Sequence, residues 1–427
     1  MKLAVWAVAV SVILPALPLL SYRVDYSVTT DAFVAGCLLV MTGGYYFART
    51  RPRATPATYN DAVSEAVIAR VLAGLGIVGS ALLLVDTQAA GSHLSIGFLL
   101  ENLSAIRASA FDALADSSRP SPLTFVGLYL APCSLLAIIA AVKVGGRTLV
   151  GLAAVGFVLL AMVSLFVYGG RTTLFVALLL GLVSWYLSGK RIAVLRLRAW
   201  LYAALAVLVI AYFSVSWIDT RQGASFNPEA DLAVTQHAEY HPLVAPIAQR
   251  NETVATGLLS LGYFGSPLPT LTFYLQQKPI PGPYNGAYSF PLPTRMAGRL
   301  TGRDVQPSVD LRAEVFEPLE AAGYFGNVWT TWLRDLFVDF GYTGALLACG
   351  LFGAFMAWSR NRFERTGALH YHYLEVISCL TIAFGAFTSY LPFSFLSSAF
   401  FTAVVVMFVT RVQRDNTRVS APVGQTS

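Results

Sequence analysis

The sequence predicts an all-α, polytopic integral membrane protein with about ten membrane-crossing helices and one long outer loop. Three observations predict it. Of the 427 residues, 56% are hydrophobic and 12% charged, with a mean hydropathy of +0.61, whereas soluble domains carry roughly 25% charge. The apolar residues collect in runs of roughly 18 to 22, the length that crosses a bilayer as helix. The basic residues sit in short segments between those runs. Despite the net charge of +6, that is the positive-inside pattern and not a nucleic-acid-binding surface.

The expected spans are Leu3–Leu20, Asp31–Ala48, Ala66–Val85, Leu123–Val142, Thr148–Tyr168, Thr172–Ser188, Ala199–Trp217, Leu336–Trp358, Leu374–Leu391 and Phe393–Val409. Lys2 precedes the first run as in a signal peptide. No Ala-x-Ala cleavage site follows, so the run is expected to remain as an anchor. With the N-terminus cytoplasmic, "RTRPR" (49–53), "KVGGR" (143–147), "KRIAVLRLR" (190–198), "RNRFER" (360–365) and the tail "RVQRDNTR" all fall inside. More than half of the 29 Lys and Arg residues then lie on one side, and both termini are cytoplasmic.

Four regions follow. Residues 1–217 carry the first seven spans, and residues 218–330 form a long extracytoplasmic loop with short or re-entrant helices. Residues 331–410 carry the last three spans, and 411–427 form a cytoplasmic tail expected to be disordered. A second outer segment, His93–Ser121, has mixed helical periodicity and is expected to lie along the interface. The long loop has a net charge of about −3, so it is no basic tail. Its segment Val254–Leu275 is apolar enough to embed but is interrupted by Gly and Pro-Leu-Pro. A full crossing there would break the parity of the last three spans, so a re-entrant or interfacial segment is expected. The four cysteines, Cys37, Cys133, Cys349 and Cys379, all lie in apolar runs and read as buried small hydrophobes, not as a disulfide framework.

Four stretches carry candidate chemistry. In "YGGRTT" (168–173), Arg171 stands at the outer mouth between two spans. It can face a central cavity or snorkel to lipid headgroups. In "FPLPTRMAGRLTGR" (290–303), Arg295, Arg299 and Arg303 recur every four residues. If Thr294 caps a short helix, the three guanidiniums share a face. Such a row suits an anion with phosphate oxygens, or it is a solvated face. In "HAEYH" (237–241), His237 and His241 have i, i+4 spacing, but Glu239 is misplaced for the H-E-x-x-H arrangement and no third ligand is evident. No metal site is expected, and a single histidine such as His241 is either a base or hydrogen-bond partner or a plain loop residue.

The fourth stretch is "NVWTTWLRDLFVDFGYTG" (327–344). On a helix, Asn327, Thr331, Asp335 and Asp339 form a stagger, with Arg334 beside it. Charge near hydrocarbon costs at least a few kcal/mol per residue. A local reading makes Asp335 a dipole-favoured residue at a helix start, paired with Arg334. It accounts less well for Asn327 and Arg334. Asn327 to Arg334 are expected to face a cavity, and Asp335 to Gly344 to fix the helix, with Gly341 and Gly344 allowing close packing.

The stretch "GNVWTTWLRDLFVDFGYTGALLACGLFG" resembles the Asn-Val-Tyr-Thr … Asp-Phe-Gly-x-x-Gly segment of bacterial oligosaccharide repeat unit polymerases, the Wzy-type O-antigen and capsule polymerases. The matching residues are Asn327, Val328, Trp329 in place of Tyr, Thr330, Asp339, Phe340, Gly341 and Gly344. "GGRTT" is similar to a Gly-x-Arg patch in that family and places Arg171. Together the motifs cover about a tenth of the chain.

The resemblance implies a glycosyltransferase of the bacterial inner membrane whose site faces the periplasm. A glycan carried on polyprenyl pyrophosphate would be the donor, and a second lipid-linked repeat unit the acceptor. The reaction would invert the anomeric centre without a metal or other cofactor. A flippase and a chain-length regulator would be partners. Arg171, Arg334, Asn327 and His241 would be catalytic, and Arg171, Arg295, Arg299, Arg303 and Arg334 would bind pyrophosphate. Asp335, Asp339, Gly341 and Gly344 would orient and support them. The proton of the attacking hydroxyl could go to Asp335, Asp339, Glu239 or His241, among which sequence does not choose. A glycan ligase using the same class of donor is the alternative enzyme. A flippase or transporter is the alternative of another class, although the charges gather at outer ends and not at midplane.

Overall fold

The computed structural model describes residues 13, 17–22, 27–49, 62–89, 121–167, 172–188, 227–236, 238–276, 282–290, 294, 297–298, 301–302, 308–322, 331–385 and 394–419. These are mostly helical. In chain order they form β1 (Leu20–Tyr22), α1 (Val28–Ala48), α2 (Ala62–Ala89), α3 (Pro122–Leu130), α4 (Cys133–Val144), α5 (Arg147–Met162), α6 (Thr172–Leu187), α7 (Pro228–Gln236), β2 (Ala238–Tyr240) and α8 (Ala245–Ala248). Then follow α9 (Glu252–Gly265), α10 (Pro267–Gln276), α11 (Ser308–Ala321), α12 (Trp332–Thr366), α13 (Leu369–Gly385) and α14 (Ser394–Val419).

Five helical stretches are long and apolar enough to cross a membrane: Val28–Ala48, Glu65–Ala89, Pro122–Val144, Arg147–Val167 and Trp332–Thr366. Two shorter apolar helices, Thr173–Leu187 and Phe395–Thr410, match two more expected spans. The expected first span lies almost wholly, and the seventh wholly, outside the described residues. The chain is therefore a helical protein built to sit in a membrane. Helix α13 differs from the others. It is buried on nearly every side, and its first turns carry His370, His372 and Glu375, so neighbouring helices and not lipid surround it.

Several spans are interrupted where the sequence permits it. Pro132 separates α3 from α4, because proline removes a donor and crowds the preceding turn. A π-turn, Val163–Val167, ends the span that begins as α5. Helix α12 changes direction at Gly341, whose φ of 65° and ψ of −171° leave the helical region. That combination is open essentially to glycine alone.

The main packing contact joins α1 to α12. It is close because a Cβ at Gly44 would overlap the Gly350 carbonyl, and one at Gly353 the Met41 carbonyl. Backbones approaching through small residues gain dispersion contact that lipid does not replace. Cys37 and Cys349 are buried in these two helices, and all four cysteines are free thiols, as expected.

Polar contacts sort the helix ends into two groups. At one end, Arg49 donates to both Glu364 oxygens at 2.8 Å, Asn361 donates to Ala48 O, and Arg360 binds Glu364, Glu375 and Leu187 O. Leu369 N donates to Glu65 there, and Lys143 lies 4.7 Å from the centre of the Phe363 ring. At the other end, the hydroxyls of Thr30 and Thr272 share a 2.8 Å hydrogen bond, and Tyr342 donates to Leu275 O.

That second end carries the described part of the long loop. Val254–Leu275 does not form one straight helix. It breaks at Ser266 into α9 and α10, and α10 is buried along almost its full length. Among the described residues the only strands are β1 and β2, an antiparallel pair with Leu20 opposite Tyr240 and Tyr22 opposite Ala238. The pair stitches the end of the first apolar run to the loop. With α7, α8 and α9 it encloses a separate small core that includes Leu20, Leu232, Tyr240, Leu258 and Leu259.

Candidate functional site

The first turns of α12 hold the charges of the fourth sequence stretch. Thr331 caps the helix, its hydroxyl accepting from Arg334 N at 3.2 Å. Every residue from Thr331 to Asp339 is buried. The helix after Gly341 still runs from Tyr342 to Thr366. Those residues rise roughly 37 Å at 1.5 Å each, more than a hydrocarbon core of about 30 Å. The charged turns are thus an extra piece before the kink, surrounded by protein.

Arg334 is the centre of this piece, with 2% of its surface exposed. Its Nε and Nη2 both reach Asp335 Oδ1, at 2.8 and 2.6 Å, and Nη2 also donates to the Tyr288 hydroxyl at 2.9 Å. The guanidinium carbon lies 5.3 Å from the Tyr274 ring centre, 5.2 Å from Tyr288 and 5.4 Å from Phe316. Burying an unpaired cation costs several kcal/mol. Asp335 and the three ring faces offset that, each ring by about 0.5 to 2 kcal/mol. One nitrogen remains: Nη1 is buried and has no hydrogen-bond partner among the described residues.

The rings come from three separate segments. Tyr274 lies on α10, Phe316 on α11 and Tyr288 in the turn 282–290. In "PGPYNGAYSF", Asn285 and Gly286 take positive φ values of 51° and 90°, conformations to which Asn and Gly are suited. Asp339 fixes that turn. Its carboxylate accepts from Tyr288 N at 3.0 Å and Ser289 N at 2.7 Å, and its carbonyl accepts from Asn285 N at 2.9 Å. Helix α11 is held by Tyr274, whose hydroxyl donates to Val315 O, and by Tyr284, which donates to Glu314 at 3.0 Å. Partial burial and the Glu314 carboxylate push the Tyr284 phenol up to about 12, so the bond persists at neutral pH. Further along α10 and α11, Phe273, Gln276, Pro318, Ala321 and Ala322 line an open depression of about 450 Å³.

The other candidates fall in different places. Arg171, Asn327, Arg295, Arg299, Arg303 and His237 lie outside the described residues. The Thr294 hydroxyl donates to Phe290 O at 2.8 Å, and residues 295–296, which it was expected to cap, lie outside the described residues. Glu239 is exposed on β2. His241 follows that strand, where its Nδ1 accepts from Leu243 N at 3.3 Å. No described contact brings it to Arg334. Among the described residues no neighbouring helix lies against Gly341 or Gly344. A Cβ at Gly341 would meet open space, and one at Gly344 would strike Phe340 of the same helix. Gly341 serves the kink. Among the described residues no three His, Cys, Asp or Glu side chains gather as a metal site would need.

Sequence reading missed Tyr274, Tyr288 and Phe316. Each is an aromatic residue in a mostly apolar chain, and no spacing links segments this far apart. Comparison with known proteins finds no matching family model, no similar curated protein and no similar solved structure.

Proposed function

We propose that the chain is a glycosyltransferase that joins lipid-pyrophosphate-linked oligosaccharide repeat units into a longer glycan. The observation that carries this reading is Arg334. Its guanidinium is locked by Asp335, Tyr288 and three rings, while Nη1 is buried and has no hydrogen-bond partner among the described residues. A cation fixed in a low-dielectric site suits charge that develops on an anionic leaving group.

In the proposed step, a hydroxyl oxygen of the acceptor repeat unit attacks the anomeric carbon of the donor. The bond from that carbon to the pyrophosphate oxygen breaks, and lipid pyrophosphate leaves with the electron pair. Arg334 stabilises it, together with Arg171 and the row Arg295, Arg299 and Arg303. The hydroxyl proton passes to a base. Both oxygens of Asp339 are held by backbone amides, which leaves Asp335, whose Oδ1 is engaged by Arg334, Glu239 and His241 as the candidates for that base. The site would face the periplasm from the inner membrane, with both termini cytoplasmic, a flippase supplying substrate and a chain-length regulator bounding the product.

The test is incubation of the purified protein with a synthetic lipid-pyrophosphate repeat unit. A ladder of longer glycans is expected, and Arg334→Lys should weaken it while the protein remains folded. Absence of any new glycosidic bond would overturn the reading. Transfer only to a lipid A core acceptor would make the protein a ligase, and translocation without bond formation a transporter.

A further inference from the structure

The turn after β2 exposes what water disfavours. Leu243 is 69% and Ile247 57% exposed, and Pro242 and Pro246 beside them are exposed as well. Yet the backbone of this turn makes no demand on water as a donor. Leu243 N donates to His241 Nδ1, and the amides of Val244 and Ala245 donate to His241 O. Ile247 and Ala248 donate to Val244 O, Gln249 to Ala245 O, Arg250 to Ile247 O and Asn251 to Ala248 O. The two prolines have no N–H to place. Every backbone donor from Leu243 to Asn251 is therefore satisfied within the chain. Irregular surface segments usually leave such groups to water. Hydrocarbon, by contrast, requires internal satisfaction.

The turn also starts at the right level. His241 N donates to Leu19 O at 3.1 Å, and Leu19 stands at the end of the first apolar run, Leu3–Leu20. The sequence predicts that run to cross the membrane, and on that expectation the turn begins at the level of the lipid headgroups. Arg250 is exposed just after it, suited to phosphate oxygens at that depth.

We propose that Pro242–Gln249 is a membrane-surface anchor, with Leu243 and Ile247 inserted at the boundary between headgroups and acyl chains. The occupant is lipid and not protein, because two large side chains fall far short of the roughly 1,200 Å² that a specific protein interface buries. The anchor would hold the small core of β1, β2 and α7–α9 against the bilayer. The inference does not depend on the reaction proposed above.

The test uses the full chain in phospholipid vesicles, labelled with an environment-sensitive fluorophore at Ile247→Cys or, as a control, at exposed Glu239→Cys. The four native cysteines are buried and do not compete for label. Acyl-chain spin-labelled lipid should quench the Ile247 label several-fold more than the Glu239 label, and aqueous iodide should do the reverse. Equal iodide quenching at the two positions would overturn the proposal. So would shielding of Ile247 from both quenchers that grows with protein density, which would identify a second copy as the occupant.

Discussion

Tyr288 accepts a hydrogen bond from Arg334 at 2.9 Å across 46 residues of sequence, and its own backbone amide is held by Asp339. One turn of the loop is thereby clamped between two residues of α12. The clamp fixes the guanidinium on one side and leaves Nη1 on the other.

Removing the Tyr288 hydroxyl tests whether this clamp serves reaction chemistry. Tyr288→Phe keeps the ring over Arg334 and deletes one hydrogen bond to a charged group, worth about 1.5 to 3 kcal/mol. If the guanidinium must be held for transfer, extension of lipid-linked repeats slows by about 10- to 100-fold. The melting curve of the detergent-solubilised protein should move by only a few degrees. Unchanged extension rates would assign Arg334 a purely structural role.

Asp339→Asn tests the other half of the clamp. The amide retains one acceptor oxygen but presents an NH2 group to a backbone donor, so one of the two amides of Tyr288 and Ser289 loses its partner. The cost is about 1 to 3 kcal/mol, read as a lower midpoint in thermal unfolding. A midpoint equal to that of the parent protein would contradict the described geometry.

The two ends of the molecule should respond differently to loss of a charge. Asp335→Ala leaves Arg334 buried without its carboxylate and should cost about 3 to 5 kcal/mol, seen as reduced folded yield and a lower midpoint. Arg49→Ala removes a partner of Glu364 where both side chains are partly exposed, at 27% and 22%. Arg360 remains on Glu364 at 2.7 Å, so the loss there is about 0 to 1 kcal/mol. Equal destabilisation by the two variants would refute the contrast.

Gly341→Ala places a side chain at φ 65° and ψ −171°. Because open space surrounds the position, backbone strain and not collision sets the cost, about 1 to 3 kcal/mol. Gly344→Ala, by contrast, strikes the Phe340 Cβ, an atom that only glycine lacks, and should be relieved by Phe340→Gly and not by Phe340→Ala in the same chain. Thermal unfolding of the single and double variants separates the two mechanisms.

Much of the membrane architecture was legible, and the reasons are local. Apolar runs, basic turns and helix-breaking Pro-Leu-Pro act within about twenty residues, which is the range that periodicity and composition cover. The charged stretch at 327–344 was also visible, but its surroundings were not. Cavity-facing charge was the expectation for Arg334, and the structure encloses it among aromatic rings. Gly341 looked like a packing glycine because a sequence shows the absence of a side chain and not the backbone angle that requires it.

By itself the sequence determined that this chain is a bundle of apolar helices, that Arg334, Asp335 and Asp339 stand at the entry to one of them, and that the loop before them is long. Those properties follow from the cost of putting charge and unpaired backbone into hydrocarbon, which each residue meets independently. Only the tertiary structure decided that Asp339 would hold Tyr288, that Tyr288, Tyr274 and Phe316 would close on Arg334, and that β1 would find β2. Each of these joins segments far apart in the chain. Their pairing depends on which faces the helices bury against one another, a property of the packed whole that no stretch of residues carries alone.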